Sequence, residues 1–243
     1  MGNFIYMAAA SPLSLVHLTQ PPRTPSSGPP PLLLLLHGVG SNESDLIGLA
    51  PYLDGRFFIA SARAPIELGP GMYGWFHVVL DPVTPVINPD EAERSRLILL
   101  QFINEAAQAY GTDPHRVYLL GFSQGAIMSL SIALTRPDTL AGVVAMSGRI
   151  LPEVLPHAAP PEAMRGLPVL IVHGTEDPVL PIHHGRAARD LLSVLPVSLT
   201  YQEYPIGHYV PEESLAEVAA WLRDRLDEPP WTERLARTTP GTT

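Results

Sequence analysis

Two residue types are missing altogether from this 243-residue chain. It has no cysteine, which excludes a thiol nucleophile, thiolate metal ligation and disulfides. It has no lysine either, since all 15 basic residues are arginine, and that excludes Schiff-base chemistry and a phosphate-loop lysine. Positive charge is scarce: 24 acidic residues give a net charge of −9 and a pI near 5.4, which argues against nucleic acid or an anionic membrane as a partner. Long apolar runs are scarce too. The longest uninterrupted aliphatic run is residues 32–36, far below the roughly 20 residues needed to span a bilayer. No positive charge precedes Arg23, which makes a poor signal peptide, and Tyr6 stands where the myristoylation pattern needs Ser or Thr. A soluble cytoplasmic protein without stable membrane insertion is the expectation.

What is present suits one α/β domain. A hydrophobic content of 46% is ample for a core, and nothing in the chain asks for a second domain. The core is expected over residues 13–226, with a flexible tail over 227–243. Strands are expected at residues 13–18, 32–36, 56–60, 117–120, 142–146, 168–172 and 197–202. Helices are expected from a cap at Asn42 or Ser44 through Ala50, and at residues 89–110, 126–134, 182–194 and 211–226. Such alternation implies a mostly parallel sheet covered by helices on both faces. Residues 20–31 and 152–166 are proline-rich connections, the second too short to be a cap domain. Residues 65–88 show no clean period but carry Tyr73, Trp75, Phe76 and His77. A loop this long inside a compact domain is usually functional or wrongly assigned, so Trp75 or Phe76 either lines a substrate pocket or packs beneath the loop.

The chemistry centres on Gly121-Phe122-Ser123-Gln124-Gly125, set between an apolar strand and an apolar helix. In that context a serine on a tight strand-to-helix turn presents its hydroxyl to a substrate, and its flanking glycines leave room for the adjoining backbone. A serine hydroxyl near neutral pH needs a base, and the base needs a partner that fixes its tautomer. Asp177, on the turn after the strand ending at His173-Gly174, and His208, between the last strand and the last helix, supply them in the order serine, acid, histidine. Asp177 also fits an ordinary turn aspartate. Glu176 is the alternative acid. Charge developing on the substrate oxygen needs two donors: the N–H of Gln124, and one from the turn after His37-Gly38, where Val39 is best placed. His37 and His173 read as hydrogen-bond partners behind the site, and His183 and His184 as helix openers. No metal-ligand spacing is present.

The motifs HGVG at residues 37–40, GFSQGA at 121–126, HGTEDPVLP at 173–181 and the late Gly207-His208 resemble, in order and spacing, the phospholipase/carboxylesterase family of α/β-hydrolases, which includes acyl-protein thioesterases and small bacterial carboxylesterases. The resemblance covers roughly residues 13–226. It implies an α/β-hydrolase fold, the triad Ser123, Asp177 and His208, the oxyanion donors Val39 and Gln124, and an acyl pocket near Trp75 and Val179, beside the Phe76 of the aromatic cluster read above. It implies no cofactor and no metal. Ser41 stands where thioesterase members usually carry Asp, a departure that favours the carboxylester branch. The expected function is hydrolysis of soluble short- to medium-chain esters through an acyl-serine. The partner expected is a small-molecule ester; nucleic acid is not expected, and a homodimer is left open. The alternatives are a thioesterase or lysophospholipase of the same family, and a ligand-binding module that kept the fold and lost the chemistry.

Overall fold

The computed structural model describes residues 7–8, 13–25, 27–79, 86–229 and 231. In chain order, β1 (Met7–Ala8) and β2 (His17–Gln20) form an antiparallel pair. Next come β3 (Pro31–Leu36), a 3₁₀ helix (Leu46–Tyr52) and β4 (Phe58–Ala62). Two small hairpins follow, β5 (Ile66–Gly69) with β6 (Met72–Gly74) and β7 (Val78–Val79) with β8 (Val86–Ile87). Then α1 (Pro89–Ala109), β9 (Asp113–Phe122), α2 (Gln124–Thr135) and β10 (Gly142–Met146) are succeeded by 3₁₀ turns at Pro152–His157 and Pro161–Met164. The chain closes with β11 (Pro168–Gly174), α3 (His183–Ser193), β12 (Ser198–Tyr204) and α4 (Glu212–Asp227). Eight strands share one sheet in the order β1-β2-β4-β3-β9-β10-β11-β12, antiparallel as far as β4 and parallel beyond it.

The leucine run explains why β3 is central. Successive side chains of a strand point to opposite faces, so a run without polar interruption needs cover on both. Leu32, Leu34 and Leu36 pack into the layer with α1, α2 and α3, through Leu99, Phe102, Ile127, Leu130 and Leu192. Leu33 and Leu35 pack into the opposite layer with the first 3₁₀ helix and α4, through Leu46, Ile47, Val218 and Leu222. Each buried leucine contributes about 2 kcal/mol. Asn88 caps α1 by accepting from the Glu91 N–H, while Pro89 and the acids Asp90 and Glu91 occupy the first turn, where the helix dipole favours them. Among the described residues no helix is long and apolar enough to cross a membrane.

Several expectations need correction. The first long strand begins at His17 rather than residue 13, because Leu13 and Leu15 turn into the core ahead of it, and β1 was not foreseen. Neither Asn42 nor Ser44 caps a helix: the Asn42 carboxamide accepts from the Ser44 N–H in a turn, and the 3₁₀ helix starts after Asp45. The strand expected at residues 56–60 lies at Phe58–Ala62, since Arg56 folds back onto Asp54 in the preceding turn. Residues 65–88 are two hairpins rather than one structureless loop, with 80–85 outside the described residues. Of the expected tail, Trp231 is buried and donates its indole N–H to Leu140 O at 2.8 Å; residues 230 and 232–243 lie outside the described residues.

The join of β9 to α2 is the tightest in the molecule. A Cβ on Gly125 would sit 1.8 Å from Leu36 O, and one on Gly121 would sit 2.3 Å from the Gly125 carbonyl carbon. Backbone atoms cannot yield as a flexible side chain can, so Gly125→Ala should lower stability by about 3 kcal/mol or more, or prevent folding. Gly48→Ala, where nothing lies within 4 Å, should change it by less than about 1 kcal/mol. Urea denaturation of the two variants checks this, and similar losses in both would remove the steric account.

Candidate active site

Ser123 sits on that join with φ 54° and ψ −119°, a conformation a non-glycine residue adopts only under constraint. Its backbone serves as the N-cap of α2, yet its hydroxyl bonds none of the helix N–H groups. It meets His208 Nε2 instead, at 2.9 Å. On the other side of that ring, His208 Nδ1 lies 2.6 Å from Asp177 Oδ2. A carboxylate there accepts, so Nδ1 carries the proton and Nε2 presents its lone pair to the serine. Asp177 is buried, and its second oxygen accepts from the N–H groups of Val179 at 2.9 Å and Leu180 at 2.8 Å. Glu176, by contrast, is exposed, and the structure pairs His208 with Asp177.

The loops that carry the acid and the histidine are laced together. Thr175 N–H donates to Tyr204 O at 2.7 Å and Glu176 N–H to Ile206 O at 3.1 Å. The approach is close enough that a Cβ on Gly174 would fall 2.3 Å from Ile206 O. The Phe122 ring flanks His208 with centroids 4.8 Å apart.

Val39 and Gln124 border the same cleft as Ser123. Gln124 opens α2, so its N–H has no acceptor within the helix. Around Val39, Gly40 N–H is taken by Tyr73 O and Ser41 N–H by Gly38 O, while among the described residues the Val39 N–H has no acceptor. His37 braces this turn. Its Nε2 accepts from the Ala64 N–H at 3.0 Å, so the proton is on Nδ1, which donates to Gly38 O at 2.7 Å. Burial holds its pKa below the ordinary histidine value, and the ring stays neutral. The Gln124 side chain, whose role the sequence did not reveal, spans the gap: its oxygen accepts from Trp75 N–H and its nitrogen donates to Phe76 O, each at 2.9 Å. Trp75 in turn donates its indole N–H to His37 O at 3.0 Å.

The cleft holds about 390 Å³, open mouth included, and is lined by Val39, Phe76, Val78, Ile87, Ile127, Arg149, Val179 and Leu180 beside Ser123 and Gln124. Phe76 and Val179 are thus on its wall as expected. Trp75 is not: it is wholly buried, because both its N–H groups are spent on bracing the turn and the Gln124 side chain. Ile127, Leu180 and Arg149 were not foreseen; the signal for Arg149 was a lone charge directly after an apolar strand. A larger hollow of about 550 Å³, between α1 and the 3₁₀ turn at Pro152–His157, contains none of these groups, and its Arg96 is already held by Glu93. Among the described residues no three His, Asp or Glu side chains cluster as metal ligands.

The sequence pattern of the phospholipase/carboxylesterase family matches residues 23–226. A probable carboxylesterase of Oryza sativa subsp. japonica is 30% identical over 81% of this chain and 88% of its own length. Acyl-protein thioesterase 1 of Gibberella zeae is 34% identical over 66% of this chain and 72% of its own. Among solved structures, esterase PE8 is 29% identical with a TM-score of 0.74, covering 85% of this chain and 96% of that one. A carboxylesterase from Mesorhizobium loti, 24% identical with a TM-score of 0.76 over 90% of this chain and 98% of its own, shares the fold.

Three buried or half-buried histidines near the site set an acid limit on stability. Burial lowers the pKa of His37 and His173, and His184 is pushed down to about 4 by burial, then by His183 and Arg149. A folded-state pKa below the unfolded value of about 6.5 means that the unfolded chain binds the proton first. The stability is therefore complete above about pH 6.5 and is lost as pH falls toward 4. The urea midpoint should fall between pH 7.5 and 5, and fall less in His184→Gln; equal falls would take His184 out of this account.

Proposed function

On the premise that this chain belongs to the phospholipase/carboxylesterase family of α/β-hydrolases, we propose that Ser123, His208 and Asp177 carry its reaction. The enzyme is a serine hydrolase acting on carboxylic ester bonds. The observation that supports these three residues is the unbroken hydrogen-bond chain from Ser123 Oγ through His208 to Asp177. Ser123 Oγ attacks the ester carbonyl carbon while His208 Nε2 takes its proton, and Asp177 stabilises the imidazolium that forms. The oxygen that gains negative charge is received by the N–H groups of Val39 and Gln124. His208 then protonates the departing alcohol, and water, deprotonated by the same nitrogen, releases the acid from Ser123. No step calls for a cofactor.

The cleft supports soluble esters of short to medium acyl chain. Its enclosed space is small, and Val39, Phe76, Ile127 and Leu180 make its wall apolar. A thioester would follow the same steps at the same atoms. The carboxylester reading is preferred because Ser41, in place of an aspartate, spends its hydroxyl on Asp45 at 2.7 Å. We place the enzyme in the cytoplasm, as one domain over about residues 13–226, acting alone or as a homodimer on a small-molecule ester.

Ser123→Ala and His208→Ala should each lower kcat by about 10⁴- to 10⁶-fold, and the double variant should be scarcely worse, because the groups act as a unit. Asp177→Asn should cost about 10⁴-fold with the fold intact, since the amide favours the wrong tautomer of His208. Hydrolysis of nitrophenyl esters and labelling by a fluorophosphonate, lost in Ser123→Ala, are the measurements. Losses that multiplied in the double variant would overturn the shared mechanism.

A further inference from the structure

Among the described residues, Arg149 is the only charged one lining the cleft. It forms no ion pair or hydrogen bond among the described residues, and its Nε is buried without a partner. Glu153, an acid whose charge reaches it, forms no ion pair with it. His184, also close enough to interact with it, is neutral near pH 7. A guanidinium carries five donors in a planar fork, shaped for a carboxylate, and one held away from water gains most when an anion arrives.

The backbone is committed to holding Arg149 there. Ser147, directly after β10, has φ 49°, the second non-glycine residue with positive φ beside Ser123 among the described residues. Its N–H is fixed by Val172 O at 2.8 Å. Gly148 then lies so close to α2 that a Cβ would come within 2.6 Å of the Ala126 Cβ. This strained turn leads the chain past α2 and places Arg149 in the lining of the same largely apolar cleft as Ser123.

We propose that Arg149 selects esters whose acyl group bears a carboxylate, the half-esters of dicarboxylic acids, by receiving that carboxylate at the far end of the cleft. The proposal rests on the esterase reading and names its substrate class. The acyl side is the one concerned because the acyl group stays bonded to Ser123 after the alcohol leaves, so one contact serves both halves of the reaction. The apolar wall between Ser123 and Arg149 suits the methylene chain that joins the two carbonyl groups. The field of the whole protein cannot supply such a preference, since a net charge of −9 repels anions. It has to come from this one cation.

The test compares mono-nitrophenyl adipate with nitrophenyl hexanoate, which match in chain length and differ in the distal charge. Wild type should favour the adipate half-ester in kcat/KM, and Arg149→Met should lower the ratio of half-ester to hexanoate about 10- to 100-fold, the size of one charge-assisted hydrogen bond. Arg149→Lys should recover part of that ratio. A ratio unmoved in Arg149→Met, or a wild type that prefers hexanoate, overturns the proposal. So does a preference seen only when the charge is on the alcohol side. Failure of the parent reading would look different: neither ester would be cleaved and a fluorophosphonate would not label Ser123, and the proposal would fall with it. Misfolding is separated by the melting temperature, which in Arg149→Met should stay close to that of wild type, because Arg149 has no hydrogen bond or ion pair among the described residues to lose.

Discussion

The backbone-on-backbone contact between the first turn of α2 and the end of β3 is what the rest of this molecule depends on. With only a hydrogen at Gly125, the helix starts against the carbonyl of Leu36, and β9 must pass into α2 without a spacer. Ser123 therefore takes a positive φ, at a cost of about 1–3 kcal/mol. Ser123 N–H donates to Met146 O at 3.0 Å and its carbonyl accepts from the Ile127 N–H at 3.1 Å, which pins the conformation. The compensation is the burial of α2, all twelve of whose residues are buried between the sheet and its neighbours. Strain at the nucleophile is thus held by the hydrophobic core, and the serine hydroxyl, unable to cap its own helix from this geometry, is left for His208.

The same economy governs the two N–H groups proposed to receive the substrate oxygen. A loop that must keep two N–H groups unbonded needs its remaining polar groups satisfied, or it would collapse onto them. His37 satisfies Gly38 O and Ala64 N–H, Trp75 satisfies His37 O, and Gln124 satisfies the backbone of residues 75 and 76. Arg63 adds an outer tie by gripping Glu43, holding that carboxylate below the usual range, and stacking on Tyr73 with 4.5 Å to the ring centroid. Both N–H groups bordering the cleft are thereby surrounded by a network whose acceptors, among the described residues, are taken by other donors.

How much of this was legible follows from which physics is local. The buried strands from Leu32 to Leu36 and from Gly142 to Met146 were readable because continuous apolar runs answer to burial alone. The three residues now in hydrogen-bond contact were readable because parallel strand ends gather at one edge of the sheet, and chain order then names the partners. Trp75 was misread for an instructive reason. An aromatic in an irregular stretch fits a pocket wall and a core equally well, and only the partners of its N–H groups, His37 O and Gln124 Oε1, decide the matter. Those partners are 38 and 49 residues away, beyond any local pattern. The hairpins within residues 65–88 escaped because strands of two to four residues are too short to show a period.

Arg149 marks where stability and specificity part. The polar groups of the two networks are internally satisfied: Asp177 by two N–H groups and His208, Gln124 by residues 75 and 76, His37 by Gly38 and Ala64. Each of these lowers the energy of the empty enzyme. Arg149 does not, since its half-buried guanidinium has no ion pair among the described residues and its Nε is buried without a partner. The turn that holds it is itself strained at Ser147, so two separate costs converge on one side chain. Folding gains nothing from either. A group of this kind is accounted for by a state in which its donors are filled, and an anionic acyl group bound in the cleft it shares with Ser123 would fill them.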